Sequence, residues 1–179
     1  NGIAVSADGH AHVVGHVGNH PLIDTFVARV DPDGDLLYMS AIAGDRVDVG
    51  TDIAADSDGN AYVVGWTGSG DLTQLHQVPL NGLGGYNAFA AKLDSAGDLA
   101  ALSYFGGSGN DSGAGIALDA EGRVWIVGET FSANLPVVNA LQASKLGRTD
   151  VNGQHTSSDA FVAQLDLEAG GILFSSYLG

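Results

Sequence analysis

Cysteine is absent from this chain of 179 residues. That excludes a disulfide framework and thiol chemistry, while leaving secretion open. Positive charge is scarce: six Lys and Arg stand against 21 Asp and Glu, for a formal net charge of −15. Such a surface repels polyphosphate and anionic lipid, so no nucleic-acid partner is expected; the bland role of the acidity is solubility. No apolar run approaches the roughly 20 residues of a membrane-spanning helix, so membrane insertion is not expected either. No signal peptide is visible, because the sequence starts inside a repeat pattern. Proline is limited to four residues, whereas glycine reaches 27 with no collagen period, so the glycine reads as turns. With 45 % hydrophobic residues the chain can build a core.

What is present is repetition. Thr25-Phe-Val-Ala-Arg-Val-Asp31, Ala88-Phe-Ala-Ala-Lys-Leu-Asp94 and Ala160-Phe-Val-Ala-Gln-Leu-Asp166 are three copies of one stretch. Phe, Ala and Leu or Val share one parity, which is the period of a β-strand. Ahead of it lie a first marker (2–5, 52–55, 115–118), an Asp/Gly turn (6–9, 56–59, 119–122) and a second strand ending at Gly15, Gly65 or Gly128. Behind it lie another turn (31–34, 94–97, 166–170) and a fourth strand (36–42, 99–105, 172–178). From Ile3 to Gly15, Ile53 to Gly65 and Ile116 to Gly128 is 12 residues each time; from Phe26 to Ile53 and from Phe89 to Ile116 is 27. Between the second-strand glycine and the Phe the distance instead varies, at 11, 24 and 33 residues. The third copy also carries one extra residue near Gly170, expected as a bulge or a longer turn.

Four short strands per repeat, Asp/Gly turns and no strong helix pattern predict an all-β protein: a β-propeller of four-stranded antiparallel blades, about three in this chain. The repeats run approximately 1–52, 53–115 and 116–179. Small and apolar residues on both parities (Ala28, Ala91, Ala163; Val13, Val63, Ile126) suit blades that pack through both faces. Propellers need about four to eight blades, so this chain is expected to be part of a larger one. Its open ends would be covered by other blades of a longer chain or by a partner protein.

Gly115-Ile-Ala-Leu-Asp119, Val127-Gly-Glu-Thr130, Ser132-Ala-Asn-Leu-Pro136, Asp159-Ala-Phe-Val-Ala163 and Ser176-Tyr-Leu-Gly179 resemble the bacterial SBBP-type beta-propeller repeat. Ser103-Tyr-Phe-Gly-Gly-Ser-Gly-Asn-Asp111 looks like that family's junction between blades, whereas Ser40-Ala-Ile-Ala-Gly44 lacks the aromatic. The resemblance covers nearly the whole chain. It implies a blade fold and a secreted or cell-surface bacterial protein, and it carries over no catalytic residue.

Four features of the sequence bear on chemistry. Asp31, Asp33 and Asp35 around Gly34, and Asp56 and Asp58 before Gly59, are weak calcium candidates. Each turn is shorter than a full calcium loop, and Arg123 sits beside the third copy, so a hairpin turn is the simpler reading. His10, His12 and His16 share a strand parity that could ligate zinc or copper, with His20 just beyond. However, His12 occupies the slot of Tyr62 and Trp125, which reads as an aromatic position; His76 and His155 are isolated. Trp66, Tyr86, Phe131 and the polar stretch 149–158 lie in or beside the variable loops 16–24, 66–87 and 129–159. They are candidates to stack on a glycan or anchor a protein, against the plain alternative of capping a blade edge. Leu135, Val138 and Leu141, with Leu146 beyond, are spaced for a short helical turn. No nucleophile elbow, Walker loop or Rossmann fingerprint occurs, and Ser108 reads as part of a small-residue turn.

No metal or other cofactor is expected beyond the weak calcium case. The sequence points to a non-catalytic structural or adhesive module, outside the cell or on its surface, acting through protein or glycan contacts. Two alternatives stand beside it: part of a propeller hydrolase or lyase whose active centre needs further blades, or an accessory subunit of a large surface assembly.

Overall fold

The computed structural model describes residues 1–19, 22–72, 85–146 and 157–179. They form twelve strands and, among the described residues, no helix. The first sheet holds β1 (Gly2–Val5), β2 (Ala11–Asn19), β3 (Leu22–Val30) and β4 (Leu36–Ile42). The second holds β5 (Asp48–Ala55), β6 (Ala61–Thr67), β7 (Asn87–Leu93) and β8 (Leu99–Phe105). The third holds β9 (Asp111–Leu118), β10 (Val124–Thr130), β11 (Asp159–Asp166) and β12 (Gly171–Leu178). Strand order follows chain order in each sheet, and every pairing is antiparallel. These are three propeller blades. Counted by sheet, the second and third begin at Asp48 and Asp111, five residues before the Ile markers of the sequence repeat.

The hairpin turns explain the Asp and Gly residues. Asp31 Oδ1 accepts the backbone N–H of Asp33 and Asp35 (3.0 and 2.8 Å), closing the turn from within. Gly34 then takes φ 92°, where a Cβ would be strained. Asp56, Asp94 and Asp119 repeat the arrangement. In the third blade the extra residue is taken up by a longer turn, with Gly170 N–H donating to the Asp166 carbonyl at 2.9 Å.

Successive blades pack face to face. Val14, Val27 and Ile42 of the first meet Ile53, Val63 and Phe89 of the second. Tyr62, Val64 and Phe105 on the second blade's other face meet Ile126, Phe161 and Tyr177 of the third. Glycine on each receiving first strand makes the approach possible. A Cβ on Gly50 would lie 2.5 Å from Val14 Cγ2, and one on Gly113 would lie 2.3 Å from Val64 Cγ2. The contrast at the outer faces is large. Ile3 and Met39 are 67 % exposed, while their counterparts Ile53 and Leu102 in the second blade are 4 % and 0 % exposed. Val127 on the third blade is 46 % exposed against 0 % for its counterpart Val64.

The expected helical turn at 135–141 is not formed. Leu135 is buried, but Val138 instead makes an antiparallel bridge with Ser175, and Asn139 adopts φ 51°. Leu141 and Leu146 are exposed. The segment is an extended strap along β12, because two backbone hydrogen bonds to Ser175 hold it there (3.2 and 2.9 Å).

Replacing Gly113 with Ala should cost about 1–3 kcal/mol of stability, the usual range for overpacking, since Val64 is too enclosed to move aside. The same change at Gly171, where an added Cβ meets nothing within 4 Å, is the control. Urea unfolding of both variants checks the difference, with the Gly171 change expected to stay within about 0.5 kcal/mol.

Candidate functional site

The rim of the blades is organised by a buried carboxylate that occurs twice. Asp111 opens β9 and is enclosed. It accepts hydrogen bonds from Thr130 Oγ1, from Ser132 Oγ at 2.7 Å and from the Gly107 backbone N–H at 2.7 Å. Asp48 does the same at the start of β5, with Thr67, Ser69 and the Gly44 N–H. Burial pushes the Asp48 carboxyl above its ordinary range, against the pull of those three donors.

Each clasp is extended by a tyrosine. Tyr104 hydroxyl donates to the Ser69 carbonyl (3.1 Å) and accepts from Leu72 N–H (3.2 Å). Tyr177 donates to Ser132 (2.9 Å) and accepts from Leu135 (2.8 Å). The connector between blades is tied down as well. Ser69 Oγ and Asp71 Oδ1 accept from Arg46 N–H and Asp45 N–H, as Ser132 Oγ and Asn134 Oδ1 accept from Gly109 N–H and Ser108 N–H. Ser108 therefore belongs to this junction.

On the second clasp sits a cleft of about 240 Å³, lined by Trp66, Tyr86, Asn110, Asp111, Ser112 and Phe131. The three aromatic residues singled out from the sequence are thus brought together, from the end of β6, the approach to β7 and the exit of β10. Trp66 and Tyr86 meet edge to face, centroids 4.9 Å apart at 79°. Asn110 joins the walls: its side-chain oxygen accepts Tyr86 N–H (3.1 Å) and its carbonyl accepts Phe131 N–H (2.8 Å). Lys145 Nζ lies 5.3 Å from the Phe131 ring centre and makes no hydrogen bond among the described residues; burial lowers its pKa, opposed by Asp159, Asp111 and Glu129. The matching rim between the first two blades places His16, Ile23, Val47, Val49 and Gly68 where this one has Trp66, Tyr86, Asn110, Ser112 and Phe131. Only the aspartate is kept.

The remaining candidates lie elsewhere. Asp31 and Asp56 use their carboxylates on their own turns, and Asp33, Asp35 and Asp58 are the turn residues whose N–H groups or neighbours they hold. Among the described residues no three His, Cys, Asp or Glu side chains are grouped as a metal site. His12 is fully buried in the register of Tyr62 and Trp125, and burial, then Arg29, lowers its pKa. His20, His76, His155 and most of the stretch 149–158 lie outside the described residues. Asp111, Asn110, Ser112 and Lys145 were not singled out from the sequence. A signal for the clasp was present, since Asp-x-Gly and Gly-x-Thr-x-Ser each occur twice, 63 residues apart.

Residues 41–73 match the family model of SBBP, the beta-propeller repeat. That window contains Gly44, Asp48, Thr67 and Ser69 of the first clasp, while its tyrosine, Tyr104, lies beyond it. No curated protein matches the chain. Among solved structures, a protein of unknown function from Bacteroides caccae is similar at 14 % identity with a TM-score of 0.41, over 98 % of this chain and 59 % of that one. An apocarotenoid oxygenase mutant from Synechocystis is similar at 12 % identity with a TM-score of 0.50, over 97 % of this chain and 36 % of that one. The chain thus spans less than two thirds of either protein. The oxygenase likeness concerns the fold alone.

Asp111→Ala should cost about 2–4 kcal/mol, because it strands three buried donors at once; a thermal melt checks this. His12 gives a pH signature. The unfolded ring protonates near its ordinary value of 6.5, while the buried ring resists, so stability should fall as pH drops below about 6.5. His12→Phe should flatten that part of the curve in urea midpoints taken from pH 7.5 to 5.

Proposed function

We propose that this chain is a non-catalytic structural and adhesive propeller segment, working outside the cell or on the bacterial surface. Its blades act as a rigid scaffold that displays rim loops for protein or glycan contact. The observation that carries this reading is the pair of open faces. The first blade leaves Ile3, Val13, Phe26 and Met39 facing outward on the parity that the second blade buries against its neighbour. The third leaves Trp125, Val127 and Val162 on the opposite parity. At about 25 cal/mol per Å² of apolar surface, such faces favour being covered. The occupant that fits is another blade of the same kind, since each face is one half of an interface formed twice within the chain. The location outside the cell rests on the resemblance to the SBBP repeat. The non-catalytic reading is supported by Asp111, the carboxylate that lines the rim cleft among the described residues, which is already committed to three donors.

A chain extended beyond Gly179 by a second copy of residues 44–105 tests the scaffold reading. The added blade would bring Gly50 over Val127. Its expected effects are a higher melting temperature and, with Trp66→Phe made in both the original and the added copy, a blue shift of Trp125 emission as that indole becomes buried. An unchanged Trp125 spectrum would sink the reading.

A further inference from the structure

The rim cleft between the second and third blades has a chemistry that narrows its ligand. We propose that it binds a single neutral sugar ring, stacked on Trp66 and Phe131 and hydrogen-bonded by Ser112 and Asn110. The inference rests on the reading of the rim as a contact surface, and it adds the site and the ligand class.

The argument begins with what differs between two copies of one rim. The clasp is duplicated bond for bond: Asp111, Thr130 and Ser132 correspond to Asp48, Thr67 and Ser69. Five side chains lining the second rim have changed chemistry together. Two valines and an isoleucine give way to Asn110, Ser112 and Tyr86; His16 and Gly68 correspond to Trp66 and Phe131. A scaffold requirement would have acted on both copies. The change therefore points to what enters the second cleft.

Size comes next. About 240 Å³ lies below the roughly 300–1,000 Å³ of sites for drug-sized ligands and leaves room for one ring-sized group. The walls are fixed before a ligand arrives. Trp66 and Tyr86 brace each other, Asn110 ties the backbones of Tyr86 and Phe131, and Asp111 N–H donates to the Tyr86 carbonyl at 2.9 Å. Little side-chain freedom is then left to lose on binding.

Charge disfavours ionic ligands. A chain of net charge −15 repels anions. The Lys145 ammonium, 5.3 Å from the Phe131 ring centre, opposes a second cation at that ring. The Asp111 carboxylate on the floor is buried and occupied by its three donors. What remains for a ligand is aromatic surface, the Ser112 hydroxyl and the Asn110 side-chain amino group; the last two have no partner among the described residues. Aromatic faces against C–H groups, with a few directed polar groups beside them, are the complement of a neutral pyranose. An apolar side chain of a partner protein would use the rings and leave those polar groups unmatched.

Tryptophan emission tests this, with the full chain titrated against glucose, galactose, mannose, N-acetylglucosamine and their short oligomers. At least one should give a saturable shift. Trp66→Ala, which removes the reporting indole and is therefore followed by isothermal titration calorimetry, should weaken its binding at least tenfold. Ser112→Val, which installs the residue of the first rim, should weaken it several-fold with the fold intact by circular dichroism. Trp125→Phe, on the open face of the third blade, should leave the affinity unchanged. Three results would overturn the proposal: no saturable shift with any neutral sugar, calorimetric affinity unchanged in Trp66→Ala, or equal binding of glucuronate. A response to an aromatic peptide with none to sugars would likewise replace the sugar with a protein partner. The blade-extension result does not depend on any of these, so failure here and failure of the scaffold reading are separately visible.

Discussion

The close approach of one blade to the next, with a valine seated over a glycine, is the contact on which the other features depend. Val14 occupies the space that a side chain at Gly50 would take, and Val64 does the same at Gly113. Once the first strand of a blade lies that near its neighbour, the parity of every later strand is set. A strand alternates its faces, so Phe89 and Phe161 point back toward the preceding blade while Ala90 and Val27 point forward. The phenyl rings then require a second glycine on the paired strand. A Cβ on Gly65 would lie 2.8 Å from Phe89 and 2.0 Å from the Val49 carbonyl oxygen, and one on Gly128 would meet Phe161 and Ser112 in the same way. Much of the glycine content follows from this packing and from the hairpin turns.

That origin explains which features could be read from the sequence. Strands, turns and blade count depend on period and spacing, and the constant distances of 12 and 27 residues record a constant geometry. The aromatic slot filled by His12 was legible for the same reason. The clasp was not found. Asp48 and Asp111 are two among 21 acidic residues, and the first blade has Val17, Asn19 and Ala41 where the others have threonine, serine and tyrosine. A feature present in two copies of three is easily lost beside features present in all. The strap at 135–141 misled for another reason. Its apolar spacing matches a helix turn, but backbone pairing with Ser175 and burial of Leu135 decide its conformation, and both partners are distant in sequence.

Separating the clasp from the cleft above it shows how one scaffold accommodates different rims. The clasp uses backbone N–H groups and short side chains, so it fixes the course of the connector without dictating what lies alongside. Asn110 adds a second layer at one rim only, by holding the main chain beside Tyr86 and Phe131. On that fixed backbone Trp66 and Tyr86 brace each other edge to face. The sequence named those three aromatic residues from exposure and loop position. Their convergence required knowing that the end of β6, the approach to β7 and the exit of β10 meet at one corner, which is a property of blade stacking and of no single repeat.

The blades also differ in how much of this network each possesses. The second contributes to both apolar clusters, and its two inner strands are covered on either side. The first has one covered face, Val17 and Asn19 in place of the clasp's threonine and serine, and Ala41 in place of the tying tyrosine. The third keeps clasp and tyrosine but leaves Val127 without a facing glycine. Covering either outer face would build a further cluster of the same kind, because the residues there are the counterparts of those already buried in the middle blade. In a repeat architecture stability is approximately a sum of unit and neighbour terms. The terms missing at the two ends are therefore neighbour terms: the outer blades carry the intrinsic pattern of the fold, and each has one face without a packed neighbour among the described residues.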